Sequence, residues 1–152
     1  MRTRTLAALV LGLFLAAAAG AADDATKKDQ EKLQGTWQTV SAEFNGDKLD
    51  EELCKMLKFV CKADKFEVNG PADVLNQYAK GTFKLDTTTT PKTLDITIGG
   101  GEKKGDVIEC IYELNGDNLK VCGKLTGKER PADFTTKAGS NMVSLVLKRE
   151  KQ

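Results

Sequence analysis

Four cysteines, Cys54, Cys61, Cys110 and Cys122, are the side chains of this chain best suited to covalent or metal chemistry. Their spacing argues against a zinc site. The intervals C-x6-C and C-x11-C lack the close pairs that let two thiolates share one metal ion. An even cysteine count in an exported chain favours disulfides, with three pairings possible; the alternative is four buried or free thiols. Strand alternation argues against one of them. Cys110 shares a face with Ile108, Tyr112 and Leu114, whereas Cys122 lies on the face opposite Leu119 and Val121. A bridge between Cys110 and Cys122 would have to cross the sheet.

Histidine is absent. That removes Ser-His-Asp and Cys-His nucleophile systems, imidazole metal sites and the usual general base near neutral pH. The paired carboxylates, Asp23 with Asp24 and Glu51 with Glu52, are sequence neighbours that point in different directions among lysines. They read as solvated surface rather than an acid/base pair. The glycines from Gly99 to Gly105 lack the Lys-Ser/Thr that holds phosphate and metal, and they read as a hairpin connection. No catalysis and no cofactor are expected.

The first residues are unlike the rest. Arg2 and Arg4 precede an uncharged apolar run from Leu6 to Ala19, and Ala19-Gly20-Ala21 supplies a small-x-small cleavage site. This order is that of a secretory signal peptide over residues 1–21. The apolar run is shorter than the roughly 20 residues needed to span a bilayer. The expected location is therefore secreted or periplasmic, with no stable membrane insertion after cleavage. The leader carries two of the 23 basic residues and none of the 22 acidic ones, so residues 22–152 sit near neutrality. A near-neutral, mixed surface argues against nucleic acid, which needs a clustered basic face. One domain, residues 22–152, is expected, and a monomer with it.

Any chemistry or binding must be positioned by short strands. Asp24 to Leu33 is charged and compatible with a short helix, ended by Gly35. From Thr36 the chain becomes a series of segments with period-two alternation, separated by turn residues. Trp37 and the set Val40, Ala42 and Phe44 are out of phase, which predicts a bulge near Gln38–Thr39. Asp50 to Leu57 has helical spacing. Lys58–Lys62 and Lys65–Val68 form a hairpin, Asn69-Gly70-Pro71 opens a loop, and strands follow at Tyr78–Leu85 and Thr93–Ile98. Val107–Leu114 and Asn118–Cys122 pair across Asn115-Gly116, a strong hairpin signal. A long polar loop, 123–141, precedes the last strand, Met142–Lys148. Gly127-Lys128-Glu129-Arg130-Pro131 within it reads as a soluble loop stiffened by Pro131, with Phe134 folded over a barrel end.

Eight short strands with one apolar face each are most simply buried by curling into a barrel. The predicted fold is all-β: an antiparallel up-and-down eight-stranded barrel with a short N-terminal helix. The inward set is Trp37, Phe59, Phe66, Phe83, Leu85, Leu94, Ile96, Ile108, Tyr112, Leu119, Val121, Val143, Leu145 and Leu147. An eight-stranded barrel either fills itself with such side chains or holds one small ligand.

Gly35-Thr36-Trp37 after a short helical turn resembles the lipocalin opening motif. That resemblance implies a closed barrel end in which Gly35 and Trp37 meet Arg149, the cation lying over the indole face. A longer series is similar to an uncharacterised exported domain family of planctomycete bacteria. It comprises Lys32-Leu33-Gln34-Gly35-Thr36-Trp37, Gly81-Thr82-Phe83-Lys84-Leu85-Asp86, Pro91-Lys92-Thr93-Leu94-Asp95, Ile111-Tyr112-Glu113-Leu114-Asn115-Gly116-Asp117, Gly127-Lys128-Glu129-Arg130-Pro131 and Leu145-Val146-Leu147-Lys148-Arg149-Glu150. The resemblance covers essentially the whole chain after the leader and implies a lipocalin-like barrel, with no reaction attached. The four cysteines and the loop Pro71 to Gln77 fall outside that pattern. The expected function is binding of a small, mainly apolar ligand in the barrel interior, with Phe59, Phe66, Phe83, Leu94, Ile96 and Tyr112 as candidate lining. The alternative is a filled barrel whose loops contact protein or glycan.

Overall fold

A computed structural model describes residues 24–125 and 128–151. The proposed leader and its cleavage site lie outside the described residues. Helix α1 spans 24–32. The strands and further helices then run β1 (Gly35–Phe44), β2 (Asp47–Lys48), α2 (Glu51–Met56), β3 (Lys58–Lys62), β4 (Lys65–Asn69), α3 (Ala72–Tyr78), β5 (Lys80–Asp86), β6 (Lys92–Ile98), β7 (Val107–Asn115), β8 (Asn118–Lys124) and β9 (Met142–Arg149). Each strand from β3 onward pairs antiparallel with the next, and β9 returns to β1. The result is a closed, lipocalin-like barrel of eight strands. The two-residue β2 is a short addition folded back on the end of β1.

The long β1 closes the barrel because it has partners on both edges. Gly35 to Gln38 pair with β3, while Trp37 to Phe44 pair with β9. The phase change in its sequence is absorbed by a bulge between Thr39 and Ser41, where Val40 is the extra residue and is left exposed. One inserted residue returns Ala42 and Phe44 to the inner face and sharpens the local twist. The bulge lies one residue beyond the position expected from the apolar pattern.

Two ends can now be distinguished. The starts of β1 and α1, the tight turns β3–β4, β5–β6 and β7–β8, and Arg149 share one end. Helices α2 and α3, the loop 99–106 and the loop residues 125 and 128–141 share the other. The stretch expected as a loop from Pro71 is the helix α3. Pro71 sits at its N-cap and Asp73 in its first turn, a common way to start a helix. No residue of α3 is buried. The 123–141 loop is also shorter than expected, because β8 runs on to Lys124 and pairs with Met142.

The core is one contiguous apolar cluster along the barrel axis. It includes Trp37, Phe66, Phe83, Leu85, Leu94, Ile108, Tyr112, Leu119, Val121 and Leu147, with Phe59, Ile96 and Leu145 packed against it. Outside the barrel, the segment after residue 127 crosses β6 and β7. Arg130 donates to the carbonyl of Cys110 at 2.7 Å and to Asp95 at 2.6 Å. Pro131 is buried there. The cluster from Lys128 to Pro131 therefore acts as a strap on the outer wall.

Candidate functional site

The closed end is built from α1 and the first turn of β1. Leu33 is buried, and its carbonyl accepts the indole N–H of Trp37 at 2.9 Å. Trp37 has no exposed surface. The guanidinium of Arg149 lies over its ring, 4.4 Å from the centroid. The same guanidinium donates to the carbonyl of Gln34 at 2.6 Å, to the carbonyl of Lys32, and to Asp117 at 3.2 Å. Two of these acceptors are the carbonyls of Lys32, the last residue of α1, and of Gln34 just beyond it, so one side chain bonds carbonyls at the helix C-terminus and stacks on the plug. Gly35 has φ +110°, a conformation costly for any side chain, and its Cα lies close under the Arg149 guanidinium.

Asp29 of α1 completes this end. It is 7 % exposed. It accepts from the Tyr112 hydroxyl at 2.7 Å and from Lys92 Nζ at 2.8 Å. Burial, followed by the hydrogen bond and charge of Asp29, pushes the Tyr112 phenol well above its ordinary range. Tyr112 was expected among the ligand-lining residues. It lies instead in the closed-end layer and borders neither cavity. Its inward strand face was readable, but its level along the barrel axis depends on strand stagger, which alternation does not encode.

Above this plug the barrel is hollow. A cavity of ≈ 490 Å³ opens at the α3 end. Phe59, Phe66 and Ile96 line it, with Phe44, Leu57, Val68, Ile108, Val121, Val143 and Leu145. A second space of ≈ 90 Å³ lies below it, bounded by Trp37, Leu33, Phe83 and Leu94. Phe59, Phe66, Ile96, Val121 and Leu145 border both and form the waist between them. Five of the six candidate lining residues therefore face these spaces, with Phe83 and Leu94 confined to the lower one. Gly123 is part of the upper wall because a Cβ there would collide with Sγ of Cys110 across the β7–β8 pair.

Several lining residues were not identified from sequence. Val74, Gln77 and Tyr78 of α3 face the upper cavity, as does Lys103 from the loop 99–106. The i, i+3, i+4 spacing of the α3 trio, directly after Pro71, was the available signal. Loop and helix are tied together. The N–H of Glu102 donates to the carbonyl of Asn76 at 2.9 Å, and Gly101 packs against that carbonyl with φ +80°.

The four cysteines, expected as possible disulfide partners, are all free. Cys110 faces the upper cavity and Cys61 the lower one, while Cys54 sits on α2 and Cys122 on the outer side of β8. Alternation places Cys110 and Cys122 on opposite faces of the wall, and the barrel's length separates Cys54 from Cys61. Burial pushes the thiols up: Cys61 to about 11, Cys110 to about 12 and Cys122 to about 11, from an ordinary 9.0. Thiols held neutral in this way are poor nucleophiles near neutral pH.

A pH dependence follows. An unfolded thiol ionises near 9.0, whereas the folded one stays neutral to higher pH. The unfolded state then holds fewer protons, so stability is full below pH 9 and falls as pH rises toward the folded values. The slope is at most about 1.4 kcal/mol per pH unit for each thiol. Urea midpoints measured between pH 8 and 10.5 should decline, and Cys110→Ala should make the decline shallower. A flat profile would contradict the burial of these thiols.

Among the described residues no group of three or more His, Cys, Asp or Glu is gathered to hold a metal ion. No helix among them is long and apolar enough to cross a membrane. Comparison of the chain with protein-family models, curated proteins and solved structures finds no match.

Proposed function

We propose that this protein is an exported, non-catalytic binding protein that takes a small, mainly apolar molecule into the open end of its barrel. The observation that carries this reading is the ≈ 490 Å³ cavity, which falls within the range of about 300–1,000 Å³ typical of small-molecule sites. A filled barrel acting only through its loops would have no use for that volume. The leader-like N-terminus supports export to a secreted or periplasmic location. The resemblance to a planctomycete exported domain family points the same way. The lack of histidine supports binding without catalysis. A monomer suffices, since pairing of β9 with β1 closes the barrel and leaves only the two-residue β2 at an edge.

Binding of an environment-sensitive apolar dye tests this. Wild-type protein should bind it with saturation at one equivalent. Val143→Phe places a larger ring in the upper cavity and should weaken binding about tenfold or more while the barrel stays folded. Equal binding by both proteins, or none by the wild type, would refute the reading. Native mass spectrometry of protein purified from its own host should show a co-purified small molecule.

A further inference from the structure

The polar groups of this cavity are unevenly placed, and their placement says how a ligand would lie. Among the described residues that line the upper space only Lys103 carries a charge, and none of those lining the lower space does. The amide of Gln77 and the phenol of Tyr78 belong to the same corner, because the loop bearing Lys103 is hydrogen-bonded to α3 through Glu102 and Asn76. Lys103 makes no ion pair among the described residues, although Glu102 and Asp106 flank its turn. The other end of the hollow is a narrow apolar pit of ≈ 90 Å³ against Trp37. It is small beside the upper space, so it takes the end of a ligand rather than its bulk.

Resting on the function proposed above, we infer that the ligand is a linear amphiphile with an acidic head, held head-outward at Lys103 with its tail directed toward Trp37. Charge selects the head. A carboxylate beside Lys103 gains a charge-assisted hydrogen bond, whereas anywhere deeper it would be desolvated with no partner. Shape favours a chain, because a large and a small space lie one beyond the other and share Phe59, Phe66, Ile96, Val121 and Leu145 as a common waist. Length follows from β1. Six or seven strand steps separate Trp37 from Phe44, which is about 15 Å along the axis once a tilt of about 40° is allowed for. An extended chain of about twelve carbons, with C–C bonds of roughly 1.5 Å, spans that distance.

Trp37 is the only tryptophan, so its fluorescence reports the tail position directly. The probes are 12-bromododecanoate, 2-bromododecanoate and unlabelled dodecanoate and dodecanol, all below their aggregation limits. The terminal bromine should quench Trp37 more strongly than the bromine next to the head. Lys103→Gln should weaken dodecanoate binding about tenfold, the loss of one charge-assisted hydrogen bond, and leave dodecanol unchanged. Stronger quenching by 2-bromododecanoate would overturn the orientation. An equal effect of Lys103→Gln on acid and alcohol, or no effect on either, would overturn the role of Lys103. If neither acid nor alcohol binds while the apolar dye does, the linear-amphiphile class is wrong and the binding function stands. If nothing binds, both fail together.

Discussion

Trp37→Ala is expected to lower the stability of this protein by about 3–5 kcal/mol, the cost of truncating a large aromatic in a core. Three observations place it at the upper end. Trp37 has no exposed surface. Its N–H is bonded to the carbonyl of Leu33, which would be left without that donor inside the closed end. The hole would also adjoin the existing ≈ 90 Å³ space, so the walls already stand apart and collapse could recover little. Equilibrium urea unfolding is the direct measurement. A loss well under 1 kcal/mol would mean that the closed end is not held by this side chain.

Arg149→Ala is expected to cost about 2–4 kcal/mol. The residue is the last of β9, and its side chain is 27 % exposed, so solvent only partly screens its contacts. It combines the stack on Trp37 with donation to two carbonyls at the C-terminal end of α1 and to Asp117. Net hydrogen bonds to charged groups are worth about 1.5–3 kcal/mol each, and partial exposure reduces that. Arg149→Lys should recover only a minor part, because an ammonium cannot present a planar fork to two carbonyls while lying flat on the indole. Full recovery by lysine would show that charge alone matters. Trp37 and Arg149 touch, so the double variant should cost less than the two losses added.

The eight-strand architecture was legible because period-two alternation and Asn-Gly turns are local signals, and the barrel follows from the need to bury one face of every strand. The bulge was legible to within one residue for the same reason: Trp37 and Ala42 cannot both face inward without an inserted residue between them. Helix α3 was missed. Its seven residues give a helical face of only two turns, and the Gly-Pro before it reads as a loop. Tyr112 was placed on the correct face but at the wrong level. The expectation of disulfides came from an even cysteine count, whereas the barrel distributes those four thiols between two cavities, a helix and the outer wall.

Residue types and their order by themselves determined the all-β class, the strand count and the inward face of each strand. These depend on alternation, turn chemistry and chain direction, all short-range properties. Whether the interior is hollow, where along the axis each inward residue sits, and which polar group stands at the mouth were decided only by the tertiary structure. Those depend on strand stagger and on how side chains from eight strands meet across the barrel, distances that no single segment of the sequence contains.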